Sequence, residues 1–287
     1  MTGADFRGGL EDDGLYTPSI KPHSVEKIRL HNFYVTLFTT AMKSHWAQRA
    51  YLGLYSGPGR ARLEGSGDII ETTALSAFRP RFPFTRYIFV DNDPRCIEAL
   101  ASRVEPFRSA HDITLIESDV TKAVPAIIDA MPSGGPGKGV LSFCFIDPFS
   151  AALDFEVIRS LGTRFKMDFL ILLMLGRDVR TNFRRYLQDP GDTRIASLID
   201  DPDWRDEWLS RGHKRKDLIR FLLGKFDSAM TRLGYKAARP GDAHPIRVMG
   251  KRVFLYSLAF YSKSDLGQKF WKTTVRGSDP QFGLDLW

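Results

Sequence analysis

Cysteine is almost absent. Cys96 and Cys144 are the only two in 287 residues, and their separation fits no metal-binding spacing, so they point to free thiols in a reduced, cytoplasmic protein. The six histidines form no HxxxH or HExxH pattern, which leaves metallohydrolase chemistry without ligands. No triad pattern stands out, and no cysteine has a plausible base beside it in sequence. Residues 1–22 hold no apolar core of signal-peptide length, and no run approaches the roughly 18 apolar residues of a membrane span, so no membrane partner is expected. Two phosphate-binding signatures are also missing. There is no GxxxxGK[ST] loop, and no glycine turn completes GxGxxG. Acidic residues fall short of basic ones, 34 against 41, giving a net charge of +7 and a sequence pI near 9.4. That excess is compatible with an anionic partner such as DNA or RNA.

What is present is an apolar strand, residues 50–55, running into Ser56, Gly57, Pro58 and Gly59, and a second strand, 87–90, ending in Asp91. Strand, glycine turn, connection, strand and acid is the arrangement an α/β sheet uses to bind a nucleoside-containing cofactor at its carboxyl edge. Arg60 and the residues after it supply no third glycine for a pyrophosphate, so a turn that holds no phosphate fits better. S-adenosylmethionine is the cofactor this favours.

Residues 1–22, rich in Gly and Asp, read as a mobile tail. Apolar residues at Ile28, Val35, Phe38 and Met42 predict a helix from Ser24. Ser24 is its N-cap and Lys27 stands at the capping-box position, and this helix could cover the open side of the cofactor. Residues 60–71 read as a polar connection. Further strands are expected at 113–116, 141–146 and 169–175, with helices between them, and a terminal hairpin from 246–249 and 253–261. The organisation is a cofactor-binding Rossmann-like part over 23–175, a basic helical insertion over 176–216, and a helix with hairpin over 217–287 that completes the sheet. Five strand–helix units closed by a hairpin describe a seven-stranded mixed α/β sheet with helices on both faces, the architecture of class I S-adenosylmethionine-dependent methyltransferases. The step from that fold to an activity is analogy.

Candidate site residues follow from strand ends. Asp91, with Asn92 beside it, is placed to accept hydrogen bonds from ribose hydroxyls, while Asp93 before Pro94 fits a helix cap. Tyr55, Ser56, Gly57, Pro58 and Gly59 would wrap the cofactor. Asp119 and Val120 follow the third strand, where an acid can meet the adenine amino group, although Asp119 could equally cap the next helix. Asp147, Pro148 and Phe149 carry the most chemistry: an acceptor for an exocyclic amine beside an aromatic ring that can stack on a base. The competing reading is a rigid turn at a sheet edge. Arg177, Arg180, Arg184 and Arg185, interleaved with Phe183, Tyr186, Trp204 and Trp208, suit a phosphate backbone and stacked bases. A solvated face pairing with Asp200, Asp201, Asp203, Asp206 and Glu207 is the alternative.

Residues 51–59, Phe89 to Asp93, Phe145 to Phe149 and the closing Phe260-Tyr-Ser-Lys263, Leu266-Gly267 and Phe270-Trp271 together resemble the three-Cys-motif partner (TcmP) family over roughly residues 24–275. The resemblance implies a methyltransferase-like domain in a bacterial or phage modification or defence setting, with a cysteine-motif protein as possible partner. Two positions depart from the family pattern. Gly53 stands where an acid is usual, removing a partner for the methionine end of the cofactor, and Glu71-Thr72-Thr73 replaces a Gly-Ser-Pro. The function expected is methyl transfer to a nucleic acid or nucleotide. Gly53 motivates the alternatives, a non-catalytic partner protein or an enzyme for another nucleoside-containing ligand.

Overall fold

A computed structural model describes residues 9–133, 139–151, 153–236, 243–247 and 254–277, apart from the side chains at 177, 247 and 254. In chain order the elements are β1 (Ser19–Ile20), α1 (Ser24–Met42), β2 (Gln48–Leu54), β3 (Arg60–Leu63), β4 (Ile69–Glu71) and α2 (Thr73–Ser76). Then come β5 (Arg86–Asp91), α3 (Pro94–Val104), β6 (Asp112–Glu117), α4 (Val120–Ala130), β7 (Val140–Ile146), α5 (Phe155–Arg164) and β8 (Lys166–Leu173). A π-helical turn, Leu175–Val179, leads into α6 (Arg180–Gln188), α7 (Arg194–Ile199), α8 (Trp204–Ser210) and α9 (Leu218–Arg232). The chain closes with β9 (His244–Arg247), β10 (Phe254–Tyr261) and α10 (Asp265–Gly277).

Seven strands pair in the order β6-β5-β2-β7-β8-β10-β9, with β10 antiparallel to both neighbours and the first five parallel. This is the class I methyltransferase sheet anticipated from the strand order. The uncharged β7 lies at its centre, between β2 and β8, because a run apolar on both faces needs cover on both. Alternation divides the core. Leu52, Leu54, Cys144, Ile146 and Phe169 face α4, α5, α7 and α9, whereas Tyr51, Phe89, Phe143 and Phe145 face α1 and α10.

That second face is built of rings, and it explains Gly53. A Cβ there would stand 3.0 Å from Phe89 Cδ1 and 3.3 Å from Tyr51 Cε1, so an acidic side chain would have to displace both rings. Two ionisable groups are sealed into the same face. His31 shares hydrogen bonds with Tyr51 and Asn32, both 2.9 Å, and burial pulls its pKa down to about 4. Asp168 accepts from the Tyr34 hydroxyl at 2.8 Å, and burial pushes its pKa up to about 6. The signs oppose. Stability from a neutral His31 is lost as pH falls from 6.5 towards 4. Protonating Asp168 over 6 to 3.8 adds stability, since its folded pKa lies above the unfolded one. Asp168→Asn removes the second effect. The stability gap between wild type and this variant should therefore shift by roughly 2 kcal/mol in favour of wild type between pH 7 and 4. Urea unfolding of both proteins across that range tests it, and a pH-independent gap contradicts it.

Three expectations are corrected. Residues 9–22 are not a mobile tail: Leu10 bridges Ile69, and β1 pairs with β3. The nearly buried Arg103 on α3 donates to Asp13 (2.8 and 2.9 Å), Thr17, and the carbonyls of Tyr16 and Pro58, clamping this segment to the glycine turn. In return Arg103 holds the Asp13 carboxyl down to about 2. Arg103→Ala should cost about 2–3 kcal/mol in chemical denaturation, since it strands buried acceptors. The connection 60–71 is also not irregular but the antiparallel pair β3–β4, turning through Gly65 and Gly67 at positive φ. Finally, Phe183, Tyr186, Trp204 and Trp208 are buried under α9 rather than presented for base stacking. The hairpin turn expected at 250–252 lies outside the described residues.

Candidate functional site

Parallel strands end at one edge, and three turns are laced together there. Ser56 N donates to Val90 O at 3.0 Å, Ser118 N to Asp91 O at 3.0 Å, and Asp147 N to Leu54 O at 3.2 Å. Tyr55 opens the first turn at φ +59°, a left-handed conformation costly for a ring-bearing residue and held by its neighbours. Gly57 and Gly59 follow, also at positive φ. A Cβ on Gly59 would come within 2.8 Å of Leu75, so only glycine lets α2 and α3 close on the turn. A Cβ on Gly57 would meet nothing within 4 Å, leaving open space above its backbone.

Asp91, 3 % exposed, accepts from Gly57 N at 2.8 Å and Asp93 N at 3.0 Å. Its carboxylate therefore ties β5 to the glycine turn. Asn92 beside it is exposed. Asp93 caps α3 through Arg95 N, and Asp119 caps α4 through Thr121 N; the Thr121 hydroxyl, which also donates to Asp119, does most to hold its pKa below the ordinary carboxylate value. Val120 is buried in the core under α4 and offers no face to a ring, which corrects that assignment. Tyr55 stands near Asp119, Asp154 and Asp91; burial first, then these charges, push its phenol up to about 12. A buried hydroxyl in the turn, Ser56 Oγ, has no hydrogen-bond partner among the described residues.

At the end of β7, Asp147 is not free. Lys27 on α1 donates to both carboxylate oxygens, at 2.5 and 2.7 Å. Pro148 is buried, and Phe149 projects from the protein at 83 % exposure. The loop is fixed from behind by Asp178, which accepts from Ala151 N, Asn182 and the Tyr186 hydroxyl. Around the Lys27–Asp147 pair sit residues that sequence reasoning missed. His244 pairs with Glu26 at 2.7 Å, and the Tyr256 hydroxyl is buried near Asp147 and Glu26, with Ser24 beside it but no hydrogen bond of ordinary geometry. Lys27 is 120 positions from Asp147, so no local spacing joins them. The only hint was a helix expected to cover the cofactor edge. In place of the expected Ser24 cap, α1 starts after His23 without a side-chain cap.

Among the basic residues, Arg180, Arg184 and Arg185 are exposed on α6, while the side chain of Arg177 lies outside the described residues. Arg185 stacks on Tyr186 at 5.2 Å, and Arg194 and Arg159 pair with Asp192 and Asp200, so part of the region is the self-neutralised face of the second reading.

Among the described residues, no group of three or more His, Cys, Asp or Glu is placed to hold a metal, and no helix is long and apolar enough to cross a membrane. No protein-family model matches the chain, and neither does any curated protein. Solved structures with a similar course of the chain include protein LPL1258 from Legionella pneumophila, 8 % identical, covering 88 % of this chain and 92 % of that one at a TM-score of 0.47. The O-methyltransferase TomG from Streptomyces achromogenes, in complex with S-adenosylmethionine, is 11 % identical over 89 % and 92 % at 0.42. Magnesium protoporphyrin IX methyltransferase from Synechocystis is 9 % identical over 83 % and 86 % at 0.39. Likeness this distant does not bear on which residues act.

Proposed function

We propose that this chain is a methyltransferase that uses S-adenosylmethionine to modify a nucleic acid or nucleotide, at an exocyclic amine. The observation that carries the reading is the pairing at one sheet edge of an open glycine turn with Phe149, a ring 83 % exposed two residues beyond Asp147. Asp91, Asp119 and Asp154 gather around Tyr55 at that edge, with Lys122 beside Asp119, while Lys27 neutralises Asp147. A pyrophosphate would meet repulsion there, while a sulfonium with its ammonium would be attracted. The Ser56 hydroxyl, unpartnered among the described residues, and the open face of Gly57 are where the amino-acid portion would rest. Bound there, the cofactor supplies an electrophilic methyl group. The chain's own part is alignment: Phe149 stacks the acceptor ring and Asp147 accepts an N–H from its amine.

The finer setting, a three-Cys-motif partner protein of bacterial or phage modification or defence, working in the cytoplasm beside a cysteine-motif protein, belongs to this proposal and rests on the motifs quoted above. A second reading, a partner protein that keeps the fold without the transfer, is favoured by one observation: rings fill the space where Gly53 would otherwise carry an acid. Calorimetric titration with S-adenosylmethionine and S-adenosylhomocysteine separates the two. Binding of both, with label transferred from methyl-labelled cofactor to nucleic acid, supports the first; silence supports the second.

Nucleic acid as acceptor makes a further demand. Arg180 and Arg184 lie one turn apart on α6, both exposed. Replacing both with Gln should flatten the slope of log affinity against log salt by roughly 1.5–2, as two phosphate contacts are lost. Affinity that ignores salt in the wild type would leave a small nucleotide as the acceptor.

A further inference from the structure

A cavity of about 570 Å³ opens at the opposite edge of the sheet, where β7 and β8 begin. Phe38 and Met42 from the end of α1, Trp46 in the turn after it, Met167 from β8 and Phe270 from α10 form its walls, and Leu266, 44 % exposed, stands at its mouth. The volume falls in the range of small-molecule sites, and so does the character, apolar walls with a few polar groups. It is also where the closing Lys263, Leu266-Gly267 and Phe270 motif gathers, a segment that methyl transfer leaves without a role.

The charges choose the ligand. Lys166 and Lys263 line the cavity, and neither makes an ion pair with a described residue. Lys166 lies over the Trp46 ring at 5.1 Å; Lys263 donates to Gly162 O at 2.8 Å, and desolvation lowers its pKa. The one carboxylate in the lining, Asp168, is buried and engaged by the Tyr34 and Ser262 hydroxyls. The Lys263 ammonium also lies over the Tyr235 ring at 4.8 Å, and with Lys166 the lining holds two lysines against one inward-bound carboxylate. Gly267 packs so tightly on Ser262 and Asp168, with a Cβ position 2.3 and 3.1 Å from their oxygens, that α10 seals the floor. We propose that this cavity binds an amphipathic organic monoanion, an acyl or aryl carboxylate, with its apolar body between Phe38, Met167 and Phe270 and its carboxylate at Lys166 and Lys263.

The test uses the full chain, with 8-anilinonaphthalene-1-sulfonate as fluorescent probe and decanoate as competitor. The expected result is one saturable probe site per chain, emptied by decanoate and about tenfold less well by decanol. Lys166→Glu should weaken decanoate by about tenfold or more. Leu266→Trp, at the exposed mouth, should abolish probe binding with an unchanged thermal melt, whereas Phe149→Ala, at the far edge, should leave it intact. Decanol competing as well as decanoate, Lys166→Glu binding like wild type, or loss of the probe site in Phe149→Ala but not in Leu266→Trp would each overturn the proposal.

Discussion

Asp147→Ala is expected to lower methyl transfer by about 10²–10³-fold or more while leaving cofactor affinity nearly unchanged. Lys27 takes one bonding direction on each oxygen, and each carboxylate oxygen has two, so a direction remains for an acceptor N–H. A second variant keeps the experiment from reporting on scaffolding alone. If Asp147 only anchors α1 through Lys27, then Lys27→Met and Asp147→Ala break the same tie and should cost transfer equally. If Asp147 meets the acceptor, Lys27→Met keeps the carboxylate and should cost far less, chiefly through KM for the acceptor. Asp147→Asn, which keeps an accepting carbonyl, should fall between them. Equal losses in Asp147→Ala and Lys27→Met would remove Asp147 from the chemistry and leave it as the anchor of the N-terminal helix.

Those two residues also mark how far the sequence could be read. Local signals were legible because their physics is local. Alternation and apolar runs placed all five parallel strands and the antiparallel β10, and Asp93 before Pro94 announced the cap of α3. Partnerships across the chain were not legible. The Lys27–Asp147 and Glu26–His244 pairs, and the Arg103 clamp on Asp13 and Pro58, join residues whose neighbours in sequence say nothing of each other. Polarity misled where it was satisfied internally. Residues 9–22 looked like a tail because their charges suggested solvent, yet Asp13 is held by Arg103 and Arg60. Aromatics misled in the opposite direction. Phe183, Tyr186, Trp204 and Trp208 sit among arginines in sequence, but in space they form the packing of α6 and α8 against α9. The ring that does stand free, Phe149, was found through its turn and not through composition. The cavity between α1 and α10 needs four distant segments, of which only the closing one carried a motif in the sequence.

Asp91→Ala is the second large expectation, and here structure changes what the residue is asked to do. Read from sequence, Asp91 is a ribose acceptor, and its loss should weaken S-adenosylmethionine binding by about 1.5–3 kcal/mol. In the folded chain the same carboxylate is almost wholly covered and accepts the amides of Gly57 and Asp93. Alanine would leave both N–H groups unanswered in a region with little water. The fold should therefore also lose about 2–3 kcal/mol, on the scale of buried donors stripped of a charged partner. Cofactor affinity and unfolding free energy should then fall together, the first because the turn that cradles the ligand has lost its tie as well as its acceptor. Asp91→Asn separates the contributions. Its single carbonyl can still receive Gly57 N, so most of the stability should return. Its amide group faces the second donor and offers ribose no charged acceptor, so affinity should stay low. Calorimetry and urea unfolding on both variants read the two quantities independently. Affinity restored in step with stability in Asp91→Asn would mean that Asp91 serves the cofactor only by holding Gly57 in place.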